Sequence, residues 1–572
     1  MTAEQGGEEA TGSFQWEQLR ERAPVALLAA GMVVSAALIL SLTSKLTFIA
    51  DEWNLLLLRQ GWGINQIMEP FNGHPIMAIS FVFKTLQEVF GMESARPMQL
   101  AATATFLLLN ALLFIYLRRR VGPWAALIGT GLILFLGAAF ENLFFAFQIG
   151  YFGSLAAGVG ALLALDRDDR KGDIAAAVLL VVSLSFSSIG IAFIAAAVAE
   201  WLLNPRKRSA RWFVPGAAIV FYAAWWLIWG HQTSPESLDP AFQLSVLPKV
   251  PGYMFDTFAA ALTSLAGLAT GDGSEMDQPN LIWGKLGALA FIGLAAWRLR
   301  KLPRVPRAFA ATAAGALCLF FLFAIAQDAY LQYGPDEFRA ATSSRYQLPT
   351  AVFVVLVAST LLEGVALPRW SLGVAGVLSL FAIFGGIQLM SNEANERWQP
   401  TAAFTRANLS GVDLAGPDTR PGYKFRPGTS FDVPAEDYFA AVEAFGSPAF
   451  SEAELQGQDA SLRLTADASL ISASGVELSG APPVFGNTIC RTADSTQSIK
   501  VAGGRFLLEN RGASELIVNV ARVADPPGTW IGSVIADASA GLRLPVGSSS
   551  LPWVVSFAGT GPVGLCSKAR RP

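Results

Sequence analysis

Two adjacent carboxylates, Asp51 and Glu52, close the first long apolar stretch of the chain, and Trp53 follows them. A carboxylate held at a membrane surface can take the proton of a hydroxyl group while that hydroxyl attacks an electrophilic carbon, which is the work of a general base. His74, one of only 2 histidines, lies downstream in Phe71-Asn72-Gly73-His74-Pro75. Between them, Leu55-Leu56-Leu57-Leu58-Arg59 is patterned to lie on a bilayer. Glu141-Asn142 offers a second acidic position, and Gln148 and Tyr151 follow it. Gln148 falls about two helical turns beyond Glu141, on the same face of a helix that starts there. Ser343-Ser344-Arg345-Tyr346 supplies a cation beside an apolar stretch, where a guanidinium can pair bidentately with a lipid phosphate. Lys84 is a second such cation, with Arg339 and His231 as weaker ones. Each residue also has a plainer role: a polar helix end, a loop carboxylate, or an arginine snorkelling to headgroups.

The elements that must position these groups are membrane helices. Of 572 residues, 53% are hydrophobic and 15% charged, and the mean hydropathy is +0.44. Ordinary globular chains carry about 25% charge, so a wholly cytosolic enzyme is excluded. A net charge of -3 provides no field for a nucleic-acid backbone, so no nucleic acid is expected as a partner. With 2 His and 3 Cys, zinc-finger and iron–sulfur spacings are absent.

Apolar stretches able to span lie at 24–50, 98–117, 123–140, 144–165, 212–230, 281–297, 308–326, 347–366 and 370–390. Basic clusters at Arg118-Arg119-Arg120, Arg167 to Lys171, Arg206-Lys207-Arg208 and Arg298 to Arg307 are expected in the cytoplasm, with the N-terminus. Residues 174–203, flanked by basic clusters on both sides, are expected to enter and return as two short helices broken near Ser183 to Gly190. The stretch 252–270 is expected at the outer interface, which leaves about eleven spans. Asp166, Asp168 and Asp169 alternate with Arg167 and Arg170 and read as solvated surface rather than a metal cluster.

Three regions follow: a cytoplasmic segment 1–23, a transmembrane domain 24–390, and an extracytoplasmic domain 391–572. In the last, Ala435 to Phe445 reads as a short helix. From about Ser461, runs such as Ser498 to Val501, Phe506 to Leu508, Leu516 to Val523 and Trp553 to Phe557 read as strands of a β-sandwich. Cys490 and Cys566 lie near opposite ends of these strands, and outside the cytoplasm a disulfide between them would close a loop worth roughly 4 kcal/mol. Two unrelated thiols remain the alternative, because sequence does not fix pairing. Trp530 and Trp553 read either as sugar-stacking residues or as core. The Ala- and Gly-rich usage points to a high-GC bacterium, hence a bacterial plasma membrane.

With its first helix ending in Asp51-Glu52, an outer loop with interfacial helices, about eleven spans and an outer C-terminal domain, the chain resembles the polytopic glycosyltransferases of the C-type (GT-C) fold. The resemblance covers the layout of the whole chain and a few motif residues. It implies an inverting transfer from a polyprenyl-phosphate sugar donor to an extracytoplasmic glycan or glycolipid acceptor, with Asp51 first and Glu52 second as the general base or the acceptor-binding carboxylate. It also implies an acidic or polar residue in the second outer loop, where Glu141 stands. A phosphate leaving group needs no strong general acid, so one positioned carboxylate suffices. Arg345, helped by Tyr346, is expected to hold the donor phosphate, and its removal to leave folding intact. No cofactor and no obligatory metal are expected, although Asp51, Glu52, His74 and Glu141 include enough hard ligands for one. Two other classes compete: a transporter or lipid-saccharide flippase, which favours broken, charged helices in matched halves, and a ligase for preassembled glycans, which would use a longer late loop than Gln327 to Tyr346.

Overall fold

The computed structural model describes residues 5–59, 61–204, 211–233, 244, 247–270, 281–325, 340–428, 431–485 and 488–568. Arg206-Lys207-Arg208, Arg339 and most of the loop before Tyr346 lie outside them. The chain forms two compact units. The first takes the described residues of 1–44, 60–85 and 96–397, and the second those of 45–59, 86–95 and 398–572.

The first unit is helical. Its elements are α1 (Gln5–Leu42), α2 (Met77–Phe90, whose last residues belong to the second unit), α3 (Arg96–Leu134), α4 (Phe140–Phe144), α5 (Ile149–Leu165), α6 (Arg170–Phe186), α7 (Gly190–Leu202), α8 (Phe213–Ile228), α9 (Val250–Leu265), α10 (Ile282–Lys301), α11 (Arg307–Ile325), α12 (Ser344–Leu361) and α13 (Arg369–Glu393). Among the described residues, 6 helices are long and apolar enough to cross a membrane. α3 is two helices joined at a kink: Gly122 at φ 81° precedes Pro123, and the left-handed glycine followed by an imide breaks the hydrogen-bond ladder. The break expected near residues 183–190 falls between α6 and α7, where Ser187 is extended. There Ser183 Oγ donates to Ser154 O across to α5.

Local packing adds detail in three places. The stretch expected at the outer interface contains α9, a 16-residue helix packed along α10, α11 and α12. Small residues permit this approach: Ala259, Ala260 and Ala261 are buried, and α10 meets them with Gly284. Asp166 and Asp168 are not merely solvated. Asp166 accepts two hydrogen bonds from Arg120, at 2.8 and 3.0 Å, while Asp168 and Asp173 pair with Arg211, which is 2% exposed. α4 and α5 are separate, as the next section describes.

The second unit combines helices with a β-sandwich. α13 runs through a π-helical turn, Ala394–Trp398, into α14 (Gln399–Ala415), so position 390 falls inside a helical run. A two-stranded ribbon, β1 (Lys424–Phe425) and β2 (Val433–Pro434), is followed by α15 (Ala435–Phe445), α16 (Glu452–Gln456) and α17 (Ala460–Ser474). α15 matches its expected bounds. α17 replaces the strands expected from Ser461: Ala466, Leu470 and Ala473 recur at helical spacing and are buried, and Asp459 caps the Leu462 N–H.

β3 (Glu477–Ser479), β4 (Thr488–Asp494), β5 (Ser498–Val501), β6 (Gly504–Asn510), β7 (Leu516–Ala521), β8 (Thr529–Val534), β9 (Ser539–Leu544), β10 (Trp553–Ala558) and β11 (Pro562–Lys568) complete the fold. They form antiparallel sheets ordered β5-β10-β7-β8 and β3-β9-β6-β11-β4. Alternating residues such as Leu508, Val518, Leu542, Val555 and Leu565 fill the core against α17. Trp553 is a core residue, with its indole N–H on Pro545 O, whereas Trp530 is 64% exposed. Cys490 and Cys566 face each other across β4 and β11 and form a disulfide.

Candidate functional site

The acidic pair belongs to the second unit, in a turn that its own residues fix. Ala50 lies at φ 46°, in the left-handed region where a Cβ is strained. Glu52 is 2% exposed and accepts the Ile49 N–H at 2.9 Å. Trp53, fully buried, donates its indole N–H to Phe48 O and meets the Phe48 ring edge-on. The two carboxylates therefore differ. Glu52 is folded back onto the turn, while Asp51 is half-buried at its surface. Backbone strain of this kind, held by surrounding contacts, is characteristic of sites that must aim a group.

The leucines after this pair do not lie free as an interfacial stretch. Leu55, Leu56 and Leu57 are each 2% exposed or less within the second unit, in a π-helical turn, Asn54–Leu58. Gln87 donates to Leu56 O, which ties this turn to the end of α2.

The remaining candidates belong to the first unit, and several converge. Phe71 and His74 pair backbone to backbone around Asn72 and Gly73, both at positive φ, as a tight type I′-like turn requires of Asn-Gly. The turn places His74 Nδ1 at 2.9 Å from Ser188 Oγ, in the break between α6 and α7. Phe71 packs edge-on against Phe147, next to Gln148.

Gln148 does not share a helical face with Glu141. α4 ends at Phe144, Phe145 is extended, and a 3-10 turn, Ala146–Gln148, leads into α5. The chain therefore doubles back, and Asn142 Nδ2 donates to Gln148 Oε1 at 3.2 Å. The same amide donates to Arg345 O at 3.2 Å, which fixes its orientation and leaves the buried Asn142 Oδ1 as an acceptor without a partner among the described residues.

Arg345 is not simply an outward cation. Its Nε donates to Glu141 Oε2 at 3.4 Å, with the arginine side chain 28% and the glutamate side chain 6% exposed. The Glu141 N–H is held by Ser344 Oγ. Among the described residues no other side chain donates to the Glu141 carboxylate, so Arg345 neutralises a buried charge. Removing Arg345 would leave this carboxylate without a side-chain donor among the described residues, so a cost in folding is expected here where the sequence alone suggested none.

Tyr346 is 5% exposed and stacks on Phe323 with ring centres 4.3 Å apart, a packing position. Lys84 is likewise buried at 5%, with its ammonium 6.0 Å from the Trp62 ring centre, rather than exposed at an interface. His231 is exposed on a 3-10 turn beside Trp226 O.

Two polar residues in this cluster were given no role of their own from the sequence. Asn142 bridges the segments that hold Gln148 and Arg345. Gln347, 1% exposed, accepts from Ser264 of α9 and donates to Ala341 O. The available signal was an amide inside an otherwise apolar run. Among the described residues no group of three or more His, Cys, Asp or Glu could hold a metal ion.

No family model matches the chain, and no curated protein matches it. Solved structures similar to it include ArnT from Cupriavidus metallidurans bound to undecaprenyl phosphate, at 14% identity and a TM-score of 0.44 over 91% of this chain and 98% of that one. The Archaeoglobus fulgidus oligosaccharyltransferase tethered with an acceptor peptide is similar at 15% identity and a TM-score of 0.40, covering 76% of this chain and 60% of that one. AglB from Archaeoglobus fulgidus in complex with an inhibitory peptide and a dolichol-phosphate is similar at 14% identity and a TM-score of 0.38, covering 67% of this chain and 58% of that one.

Proposed function

We propose that the chain is an integral membrane glycosyltransferase of the C-type fold, transferring a sugar from a polyprenyl-phosphate donor to an extracytoplasmic glycan or glycolipid. The observation that carries this reading is the division of labour in the acidic pair. Glu52 accepts the Ile49 N–H, and the strained turn at Ala50 leaves Asp51 half-buried in the non-helical segment after α1, which ends at Leu42 rather than at the acidic pair.

In this reading Asp51 removes the acceptor hydroxyl proton as that oxygen bonds to the anomeric carbon. The bond from that carbon to the phosphate oxygen breaks at the same time, and the polyprenyl phosphate leaves with the electron pair, inverting the centre. Within the first unit, Glu141 and Arg345 with the open Asn142 Oδ1 form a polar group with the chemistry to bind a phosphorylated sugar: the quarter-exposed guanidinium can pair with phosphate, and the amide oxygen can accept from a sugar hydroxyl.

The test is transfer by the purified chain from a polyprenyl-phosphate sugar. Asp51→Asn keeps the shape and removes the basicity, and is expected to lower the rate by about 100-fold to 10,000-fold with unchanged melting. Near wild-type transfer by Asp51→Asn would overturn the assignment. Movement of an intact lipid-linked saccharide across vesicles, with no glycosidic bond formed, would replace the enzyme by a transporter.

A further inference from the structure

An apolar groove of the first unit lies away from this group. It has a volume of about 1190 Å³ and runs between α1, the second half of α3 and α13. Its walls are apolar apart from Ser379 and Arg369. Two glycines of α13 make it wide, since a methyl group on Gly373 or Gly376 would meet nothing within 4 Å.

One end is shut. A methyl group on Gly137 would lie 1.9 Å from Gly386 O, and one on Gly386 would lie 2.2 Å from Phe135 O, so the backbones touch there. The other end carries Arg369, exposed and with no carboxylate paired to it among the described residues. Trp124, 41% exposed, lines the groove at that end, Trp370, 73% exposed, follows Arg369, and Arg118 and Arg119 precede Pro123. An interfacial tryptophan belt and a basic mouth are what a lipid headgroup meets at a membrane surface. From Arg369 to Ile383 the groove extends about 20 Å along α13, somewhat more than the half-thickness of a hydrocarbon core.

We infer that this groove holds one acyl chain of an anionic phospholipid whose phosphate is paired with Arg369. The polarity of the groove selects this occupant over the polyprenyl donor. Glu141 and Arg345 follow the shut Gly137–Gly386 end, so a donor with its phosphate at Arg345 has its headgroup beyond the closure, whereas a chain that fills the groove has its headgroup at Arg369. The site is a lipid-binding site distinct from the proposed chemistry, and its test does not use transfer.

The probe is phosphatidylglycerol, with phosphatidylethanolamine as the zwitterionic control. Each is added to the delipidated full chain, and retention is read by native mass spectrometry. One phosphatidylglycerol per chain is expected at concentrations where phosphatidylethanolamine is not retained. Arg369→Ala should weaken retention on the order of tenfold, with partial rescue by Arg369→Lys. A Cβ at Gly376 meets nothing within 4 Å, so Gly376→Leu should occupy the groove and abolish retention while melting is unchanged. Equal retention of both phospholipids, or unchanged retention in Gly376→Leu, would overturn the inference. Displacement of phosphatidylglycerol by undecaprenyl phosphate would overturn it too, and would assign the groove to the donor chain.

Discussion

Removing the Arg345 side chain separates two roles that the same residue would otherwise confuse. At 3.4 Å and an effective dielectric of about 20, the attraction between Arg345 and Glu141 is about 5 kcal/mol before desolvation is counted. Deleting one partner of a buried pair typically costs about 3–5 kcal/mol, because the other charge stays buried and uncompensated. Arg345 is 28% exposed at its side chain and Glu141 only 6%, so water reaches one side of the pair and the expected cost is near 3 kcal/mol. Glu141→Gln leaves only the hydrated arginine and should cost about 1 kcal/mol. The double variant Arg345→Ala with Glu141→Gln removes both charges and should recover about 1–2 kcal/mol relative to Arg345→Ala alone. The assay pairs thermal unfolding of the four proteins in one detergent with transfer measured against donor concentration. Under the proposed function the double variant regains stability but not donor use. If Arg345→Ala melts with the wild type, the pair does not stabilise the fold. If the double variant also regains transfer, Arg345 only neutralises Glu141 and does not touch phosphate.

Three further outcomes are expected. Glu52→Gln retains an acceptor for the Ile49 N–H and should keep both fold and transfer, while Glu52→Ala orphans that buried donor and should destabilise by about 1–3 kcal/mol, read by thermal unfolding. Transfer should survive exhaustive chelation, and complete loss restored by Mg or Mn would show an obligatory metal. Burial, reinforced by the Asp413 charge, pushes the Tyr438 phenol well above its ordinary range. An unfolded tyrosine ionises near about 10, so this contribution to stability is intact below that pH and is lost as pH rises above it. Tyr438→Phe should flatten the alkaline side of the stability profile, and an unchanged profile would refute the assignment.

The fold was legible where periodicity and breakers agree. Ala435–Phe445 is bracketed by Pro434 and Gly446, and the strands at Ser498–Val501 and Trp553–Ala558 alternate or branch at Cβ, so their bounds could be read directly. Where the two disagree, tertiary packing decided. α9 is too short and mixed to score as a span, yet its alanines and the facing Gly284 let it bury among three helices. α17 sits between polar turns in a strand-rich region, and only the spacing of Ala466, Leu470 and Ala473 marks it as helical.

At the site, residue type was legible and residue state was not. Composition singles out a cation beside an apolar stretch and a carboxylate between two spans, but not that Arg345 and Glu141, 204 positions apart, neutralise each other. Nor does it reveal that the helix stops at the extended Phe145 and that Asn142 donates to both Gln148 and the Arg345 carbonyl. Lys84 and Tyr346 show the same limit, because a snorkelling cation and a buried one have identical sequences around them. The acidic pair shows the converse. Two neighbouring carboxylates look interchangeable along the chain, and the turn makes them unlike: Glu52 is buried and accepts the Ile49 N–H beside the strained Ala50, and Asp51 is half-buried. Under the proposed function Glu52 holds the turn and Asp51 reacts, so a positioning carboxylate and a reacting one would come from one dipeptide.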